Sequence, residues 1–387
     1  MRKMKLAMLI VFCVMLFGGT VVSFVLPDRE FSDVENRELA KKPKITAKRI
    51  LSGEYQKEYD TYLSDQFFFR DKWVDLAVRE QIALGKKDFN GVYLGKNNYL
   101  LEKYEKADFD SGQIKENETY LTTFLNETEK RYGRKHVRAM FVPSKTTALT
   151  NVLPAYADTI DWQSTIRDLQ TKVDEPNLIY DLTKTMQSHN EEYIYYRTDH
   201  HWTTLGAYYA YTEFCKAKGI TPESLDAYSK KQDFDGFLGS FYNDTSDAKL
   251  KANPDTVTAY YPNAESICHV TASDGKKYDW PVIYDVSNYN AGLKYSTFIA
   301  SDNPYTEIEN KDLSDGSSCI VVKESFGNAF IPFLVDHYQT VYVVDYRYWT
   351  GSISKLAQDK KVNDVLFLNN LSMIRNKSLV GKLYRVL

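Results

Sequence analysis

The chain is 387 residues long, enough to bury a substantial core as one large domain or two modest ones. Its 43% hydrophobic and 26% charged residues describe a globular protein and exclude a disordered one, and a formal net charge of -3 leaves no electrostatic footprint for nucleic acid. The four cysteines (Cys13, Cys215, Cys268 and Cys319) show no CxxC or metal-ligand spacing, and Cys13 lies in an apolar N-terminal segment, so no disulfide framework is indicated.

Arg2, Lys3 and Lys5 precede an uncharged apolar run from Leu6 to Leu26, closed by Pro27-Asp28-Arg29-Glu30. A run of that length suits a bilayer-crossing helix. Basic residues on the short leading side place that side in the cytoplasm and the rest of the chain outside it. Gly18-Gly19-Thr20 would suit a cleaved signal peptide, but no A-x-A site follows and the apolar run continues, which favours a retained single-pass anchor. Residues 1–27 therefore read as cytoplasmic tip and transmembrane anchor, 28–55 as a juxtamembrane stalk, and 56–387 as the folded domain.

Between Tyr55 and Leu84, apolar residues including Tyr59, Leu63, Phe67, Trp73 and Leu76 recur near helical spacing and predict one or two helices. Val92-Tyr93-Leu94 and Tyr99-Leu100-Leu101 flank Lys96-Asn97-Asn98 in a hairpin-like pattern. A helix over Lys115–Tyr132, ended by Gly133, follows. Short apolar runs then occur at Val137–Val142, Leu178–Tyr180, Ile320–Val322, Val341–Val344 and Val365–Leu368, separated by helical stretches. This alternation predicts an α/β fold with a mostly parallel sheet flanked by helices. From about 221 to 314 the rhythm changes to loops and antiparallel strands, read as a β-rich insertion covering one sheet edge.

Ligands in open α/β sheets sit beyond the carboxyl ends of the strands, and polar side chains accumulate at those ends here: Ser144-Lys145, Glu324-Ser325, Asp345-Tyr346-Arg347 and Asn369-Asn370. Ser325 sits between an apolar strand and a segment able to start a helix, where a hydroxyl is exposed near backbone N–H groups. A serine there can equally be a plain helix cap. The segment Thr198-Asp199-His200-His201-Trp202 holds two of the six histidines, just before a helix predicted over Leu205–Lys218 and capped by Thr203 or Thr204. An Asp two residues before a His can orient the imidazole as a general base. A metal site is disfavoured, because neighbouring histidines diverge and no further ligands stand at supporting spacing. No cofactor is implied. The 30 tyrosines suit sugar rings, although such a number is also consistent with tyrosine spread over core and surface.

Thr198-Asp199-His200-His201-Trp202-Thr203 resembles the signature of the DHHW protein family, relatives of the alginate O-acetyltransferase group of SGNH-hydrolase-like proteins. Other stretches agree in order along nearly the whole chain: Phe31-Ser32 with Glu35-Asn36-Arg37-Glu38-Leu39, Leu63-Ser64-Asp65-Gln66-Phe67 with Arg70-Asp71, Val142-Pro143-Ser144-Lys145, Ser301-Asp302-Asn303-Pro304, Glu324-Ser325-Phe326, and Asp345-Tyr346-Arg347-Tyr348. The resemblance implies an SGNH-hydrolase-like fold with permuted motif order, and a triad of Asp199, His201 and Ser325. Before the nucleophile such relatives usually carry Asp, where this chain has Glu324. Arg347 would hold an anionic sugar or the acyl oxygen, or pair with Asp345 or Glu324; Asn303 would add an oxyanion donor, and Lys145 and Trp202 would contact substrate. The implied activity is O-acetyl transfer to, or acetyl-ester hydrolysis on, a cell-surface polysaccharide, with a multipass membrane acyltransferase supplying the acetyl group. The alternative is a non-catalytic glycan-binding or assembly protein on the same fold.

Overall fold

A computed structural model describes every residue except Met1, Glu30, 33–36, Asn90, 105–110, 246 and 247, so Glu35 and Asn36 of the stretch quoted above lie outside the described residues. The chain divides into two compact units, one of residues 1–86 with 242–252 and the other of 87–241 with 253–387.

In the first unit the apolar N-terminal run is helical in three pieces: Arg2–Cys13, a π-helical turn Val14–Gly18, and Gly19–Val25. Among the described residues no helix is long and apolar enough to cross a membrane. The helical spacing after residue 55 resolves into Glu54–Asp65 and Arg70–Ala83. Between them Phe69 adopts a left-handed backbone with φ 51°. The polar stretch read as a stalk is tied back to the first of these helices. Buried Asp65 accepts the Ala40 N–H at 2.8 Å, and Gln66 exchanges two hydrogen bonds with the Arg29 backbone, both at 2.9 Å.

The second unit is built on one eight-stranded sheet. Its strands in chain order are β1 (Val137–Val142), β2 (Ile179–Asp181), β3 (Ser266–Thr271), β4 (Lys277–Trp280), β5 (Tyr305–Asn310), β6 (Ser318–Lys323), β7 (Thr340–Asp345) and β8 (Asp364–Asn370). The spatial order is β4-β3-β5-β7-β6-β8-β1-β2. From β7 to β2 all neighbours are parallel, with Val321 opposite both Val343 and Leu366. From β4 to β7 they are antiparallel. The sheet is therefore mixed. Strands β3, β4 and β5 of the β-rich stretch take up the β7 edge by extending the sheet, because β7 offers an unpaired row of backbone groups that β5 completes. The other insertion strands, Lys231–Phe237 and Asp255–Tyr260, form a separate hairpin.

Alternation along the strands gives each face its own core. Ala139, Phe141, Ile320, Val322 and Phe367 pack with Phe124, Leu125, Ile166 and Leu383 of helices Ser111–Tyr132, Trp162–Lys172 and Lys377–Arg385. Met140, Val321, Val343 and Leu366 face Ala207, Ala210, Tyr211 and Phe214 of helix Thr204–Lys218. Strands β6 and β8 are buried along their full length, which explains their unbroken apolar character in sequence.

The end of β6 carries a buried charge. Lys323 Nζ donates to Asp302 Oδ1 and Asp345 Oδ2, each at 3.0 Å, and the Lys323 and Asp345 side chains are both fully enclosed. Removing one partner of such a pair strands the other charge in a poorly solvated site. Lys323→Met is expected to lower unfolding stability by about 3 kcal/mol, the low end for a broken buried pair because Arg347 still meets Asp345. Urea denaturation of the two proteins measures the difference, and an unshifted midpoint would show that the pair contributes nothing.

Candidate active site

The Thr198–His201 turn is pinched at its neck. Tyr196 N donates to His201 O at 3.2 Å and Thr203 N to Ile194 O at 2.9 Å. Its outer rim is anchored on one buried carboxylate, Asp255, which accepts from Arg197 N (3.1 Å), Thr198 N (2.7 Å) and Thr198 Oγ1 (2.6 Å). Thr203 caps the following helix, its hydroxyl accepting the Gly206 N–H. The backbone is thus fixed on both sides of the two histidines by groups other than the histidine rings.

Within that frame Asp199 Oδ1 accepts from His201 N at 2.9 Å and from His201 Nδ1 at 2.6 Å, while Oδ2 accepts from Ser240 N at 2.8 Å. A carboxylate only accepts, so the proton lies on His201 Nδ1 and leaves a lone pair on Nε2. That Nε2 stands 2.7 Å from Ser325 Oγ. Burial opposes ionisation of Asp199, but His200, His201 and the Ser240 N–H outweigh it and hold the carboxyl well below its ordinary range. The Gly239 position is dictated by this contact: a Cβ there would lie 2.1 Å from Asp199 Cβ.

Ser325 occupies the turn after β6, before the short helix Gly327–Phe330. Trp202 Nε1 donates to Phe326 O at 3.0 Å and Tyr295 Oη donates to Ser325 O at 3.1 Å. Tyr295 also stacks on the His201 ring, centroids 4.2 Å apart and planes 13° apart. Glu324, buried beside the serine, accepts from Asn370 N at 2.9 Å through Oε1 and from Phe326 N at 3.2 Å through Oε2. Burial holds its carboxyl above the ordinary range against the pull of Arg347 and these N–H groups.

A cavity of about 300 Å³ opens over Ser325, lined by His200, Glu324, Phe326, Arg347 and Asn370 with Tyr104, Phe241, Arg375 and Leu379 among its walls. Of the residues expected to meet substrate, Arg347 lines it. Its guanidinium is also bidentate to Asp345 (2.9 and 2.6 Å) and 2.8 Å from Asp302, the pairing weighed as its alternative role. Three others are elsewhere. Lys145 is fully buried and donates to the carbonyls of Leu100 and Asp199, both at 2.6 Å; burial pushes its pKa down to about 8. Trp202 is fully buried and spends its one donor on Phe326. Asn303 Nδ2 donates to Ala300 O at 2.7 Å. In all three the side-chain donor binds a backbone carbonyl.

The ligand atoms of Asp199, His200 and His201 lie within 4.8 Å of one another, a spacing that a metal ion could bridge. Here they are engaged otherwise: His201 Nδ1 on Asp199, and His200 Nδ1 on Ser240 Oγ at 2.8 Å. Tyr295, Asp255 and Gly239 were not singled out from sequence. Only Gly239, within a stretch read as loop, carried a local signal.

The fold and site together define an α/β protein in which an Asp-His pair from one loop meets a serine at the end of a parallel strand. The chain belongs to the DHHW protein family, whose sequence pattern matches residues 108–344. Among solved structures, a DHHW family protein from Eubacterium siraeum is 26% identical with a TM-score of 0.64, over 76% of this chain and 96% of that one. PatB1 of Bacillus cereus is 23% identical with a TM-score of 0.59, over 73% and 97%. A second PatB1 structure, with a sulfonyl adduct, gives 21% and 0.60 over 76% and 99%. The PatB1 structures share the fold. No curated protein matches the sequence.

The tight approach of Gly239 to Asp199 has a measurable consequence. Gly239→Ala is expected to displace the carboxylate and lower any Ser325-dependent ester turnover by about 10²-fold, as misplacement near 1 Å does, with the circular dichroism spectrum retained. Wild-type turnover in a folded Gly239→Ala protein would refute the packing argument.

Proposed function

We propose that this protein is a serine-dependent O-acetyltransferase or acetylesterase acting on a cell-surface polysaccharide outside the cytoplasm. The observation that carries the reading is the 2.7 Å contact from His201 Nε2 to Ser325 Oγ, with Asp199 at 2.6 Å on the other ring nitrogen. A neutral imidazole with its Nε2 lone pair on a hydroxyl is a general base for that hydroxyl.

In this reading Ser325 Oγ attacks the acetyl carbonyl as its proton passes to His201 Nε2. The tetrahedral centre collapses with loss of the donor's alcohol oxygen, which takes that proton from His201 and leaves an acetyl-serine. A sugar hydroxyl, or water, then gives its proton to His201 as it attacks, and Ser325 regains the proton when the acetyl group departs. Asp199 keeps the imidazole in the required tautomer and balances the imidazolium in both halves. Tyr295 presents its π face to the ring that becomes cationic. The aromatic walls Tyr104, Phe241 and Phe326 suit stacking against a sugar ring and favour its hydroxyl over water.

The basic-then-apolar pattern from Arg2 to Leu26 supports attachment to the membrane with the folded part outside. A multipass membrane acyltransferase as acetyl donor follows from the family resemblance and from the location of acetyl donors in the cytoplasm.

The test is kinetic. Purified full-length protein should release nitrophenol from 4-nitrophenyl acetate, and Ser325→Ala and His201→Ala should each reduce turnover by about 10³-fold or more, the double variant losing little beyond either single one. Asp199→Asn should cost less than either. Equal turnover in wild type and Ser325→Ala would leave a glycan-binding protein on this fold, and a severe His200→Ala with a mild His201→Ala would reassign the base.

A separate expectation concerns location. A phosphatase reporter fused after Leu387 should be active only when exported, and the protein should fractionate with membranes at its full mass. Recovery of a form shortened by about 25 residues would indicate signal-peptide cleavage.

A further inference from the structure

Glu324 Oε2 stands 3.3 Å from Ser325 Oγ and 3.2 Å from Phe326 N. An acyl carbonyl under attack must place its carbon near Oγ and its oxygen on backbone donors beside the nucleophile. The N–H of the residue after a nucleophilic serine is one such donor, so the Glu324 oxygen lies where that carbonyl belongs. Its position is maintained from two sides, because Oε1 accepts from Asn370 N at 2.9 Å at the end of the neighbouring strand. Glu324 also lines the cavity, so it faces an arriving donor directly. A second conflict concerns the proton. The Ser325 hydroxyl has one hydrogen, and both His201 Nε2 and Glu324 Oε2 are acceptors within reach. An anionic oxygen in this place also repels the oxyanion that acyl transfer develops.

We propose that in the free protein the Glu324 carboxylate occupies the acyl-oxygen position, and that donor binding displaces it and frees the Phe326 N–H for the substrate carbonyl. The inference rests on Ser325 being the nucleophile. Glu324 is then a positioning residue that sets how readily small donors enter. A group that must withdraw reduces apparent affinity by the fraction of molecules in the open state, and leaves the chemical step at saturation unaffected.

The experiment compares wild type, Glu324→Ala and Glu324→Gln in full-length protein with 4-nitrophenyl acetate. If the open state is about one tenth of the population, Glu324→Ala lowers KM about tenfold with kcat within about twofold of wild type. Glu324→Gln, whose amide can accept from only one of the two N–H groups, gives a KM between those of wild type and Glu324→Ala. A plain structural tie between the β6 and β8 ends predicts the opposite for the alanine variant, a lower kcat with KM unchanged or raised, and that result overturns the proposal. Should Glu324→Ala fail to fold, Glu324→Asp is one methylene too short to span both N–H groups and takes its place. Labelling of Ser325 by phenylmethanesulfonyl fluoride, followed by intact mass, reads the same opening without turnover. Faster labelling of the alanine or aspartate variant supports displacement, and equal or slower labelling refutes it. Wild type that neither turns over ester nor labels at Ser325 rejects the nucleophile itself, and the Glu324 inference falls with it.

Discussion

The hydrogen bond from His201 Nε2 to Ser325 Oγ joins two segments 124 residues apart, and the second unit is arranged around that meeting. One such bond contributes on the order of 1 kcal/mol, far too little to bring a loop and a strand end together. Other contacts bring them together. Trp202 is tied to the carbonyl of Phe326, Tyr295 spans the His201 ring and the Ser325 carbonyl, and Phe326 packs against His201 with centroids 5.0 Å apart. These links fix the loop against the turn, and the His201–Ser325 hydrogen bond follows from them. An arrangement assembled this way is preorganised, since neither His201 Nε2 nor Ser325 Oγ has to pull the other into position.

Beneath the turn the same logic is carried by charge. Lys323, Asp345, Asp302 and Arg347 form a network largely out of solvent, with Asn328 Nδ2 donating to Asp302 at 2.9 Å. Burial works against the ionised Asp302, and the cations of Lys323 and Arg347 reverse that and hold its carboxyl well below the ordinary range. The network fastens a strained approach. Ile299, Ala300 and Ser301 are three successive non-glycine residues in the left-handed region, with φ of 47°, 61° and 67°. Each such residue carries a penalty of about 1–2 kcal/mol, so the loop keeps this path only because its end at Asp302 is over-determined.

Much of this was legible in the sequence where the cause was local. The five parallel strands announced themselves as apolar runs because both of their faces are covered. The Asp199–His201 pair was legible because two residues of turn suffice to bring a carboxylate onto its imidazole. Ser325 was reachable through its place at a strand end. Tyr295 was not, since its stack on His201 is a tertiary contact and it is one tyrosine among 30. The roles of Lys145 and Asn303 were not legible for a different reason. A polar side chain at a strand end or in a loop can reach toward a ligand or satisfy a nearby carbonyl, and sequence does not distinguish the two. Trp202 shows the same ambiguity in an aromatic residue: the resemblance implied a substrate contact, and its N–H fastens the Ser325–Phe326 turn.

The paired histidines finally divide their work by what each ring nitrogen is offered. His201 Nδ1 faces Asp199 at 2.6 Å, whereas His200 Nδ1 reaches the same carboxylate only at 3.7 Å and is bound to the Ser240 hydroxyl. The rings lie 3.8 Å apart, so a proton on one opposes a proton on the other. Burial and the charge of His201 together draw the His200 pKa down to about 4, against the pull of the Asp199, Glu102 and Glu324 carboxylates. In the proposed mechanism the ring that takes up the serine proton is thus the one held 2.6 Å from Asp199, while His200 lines the cavity above.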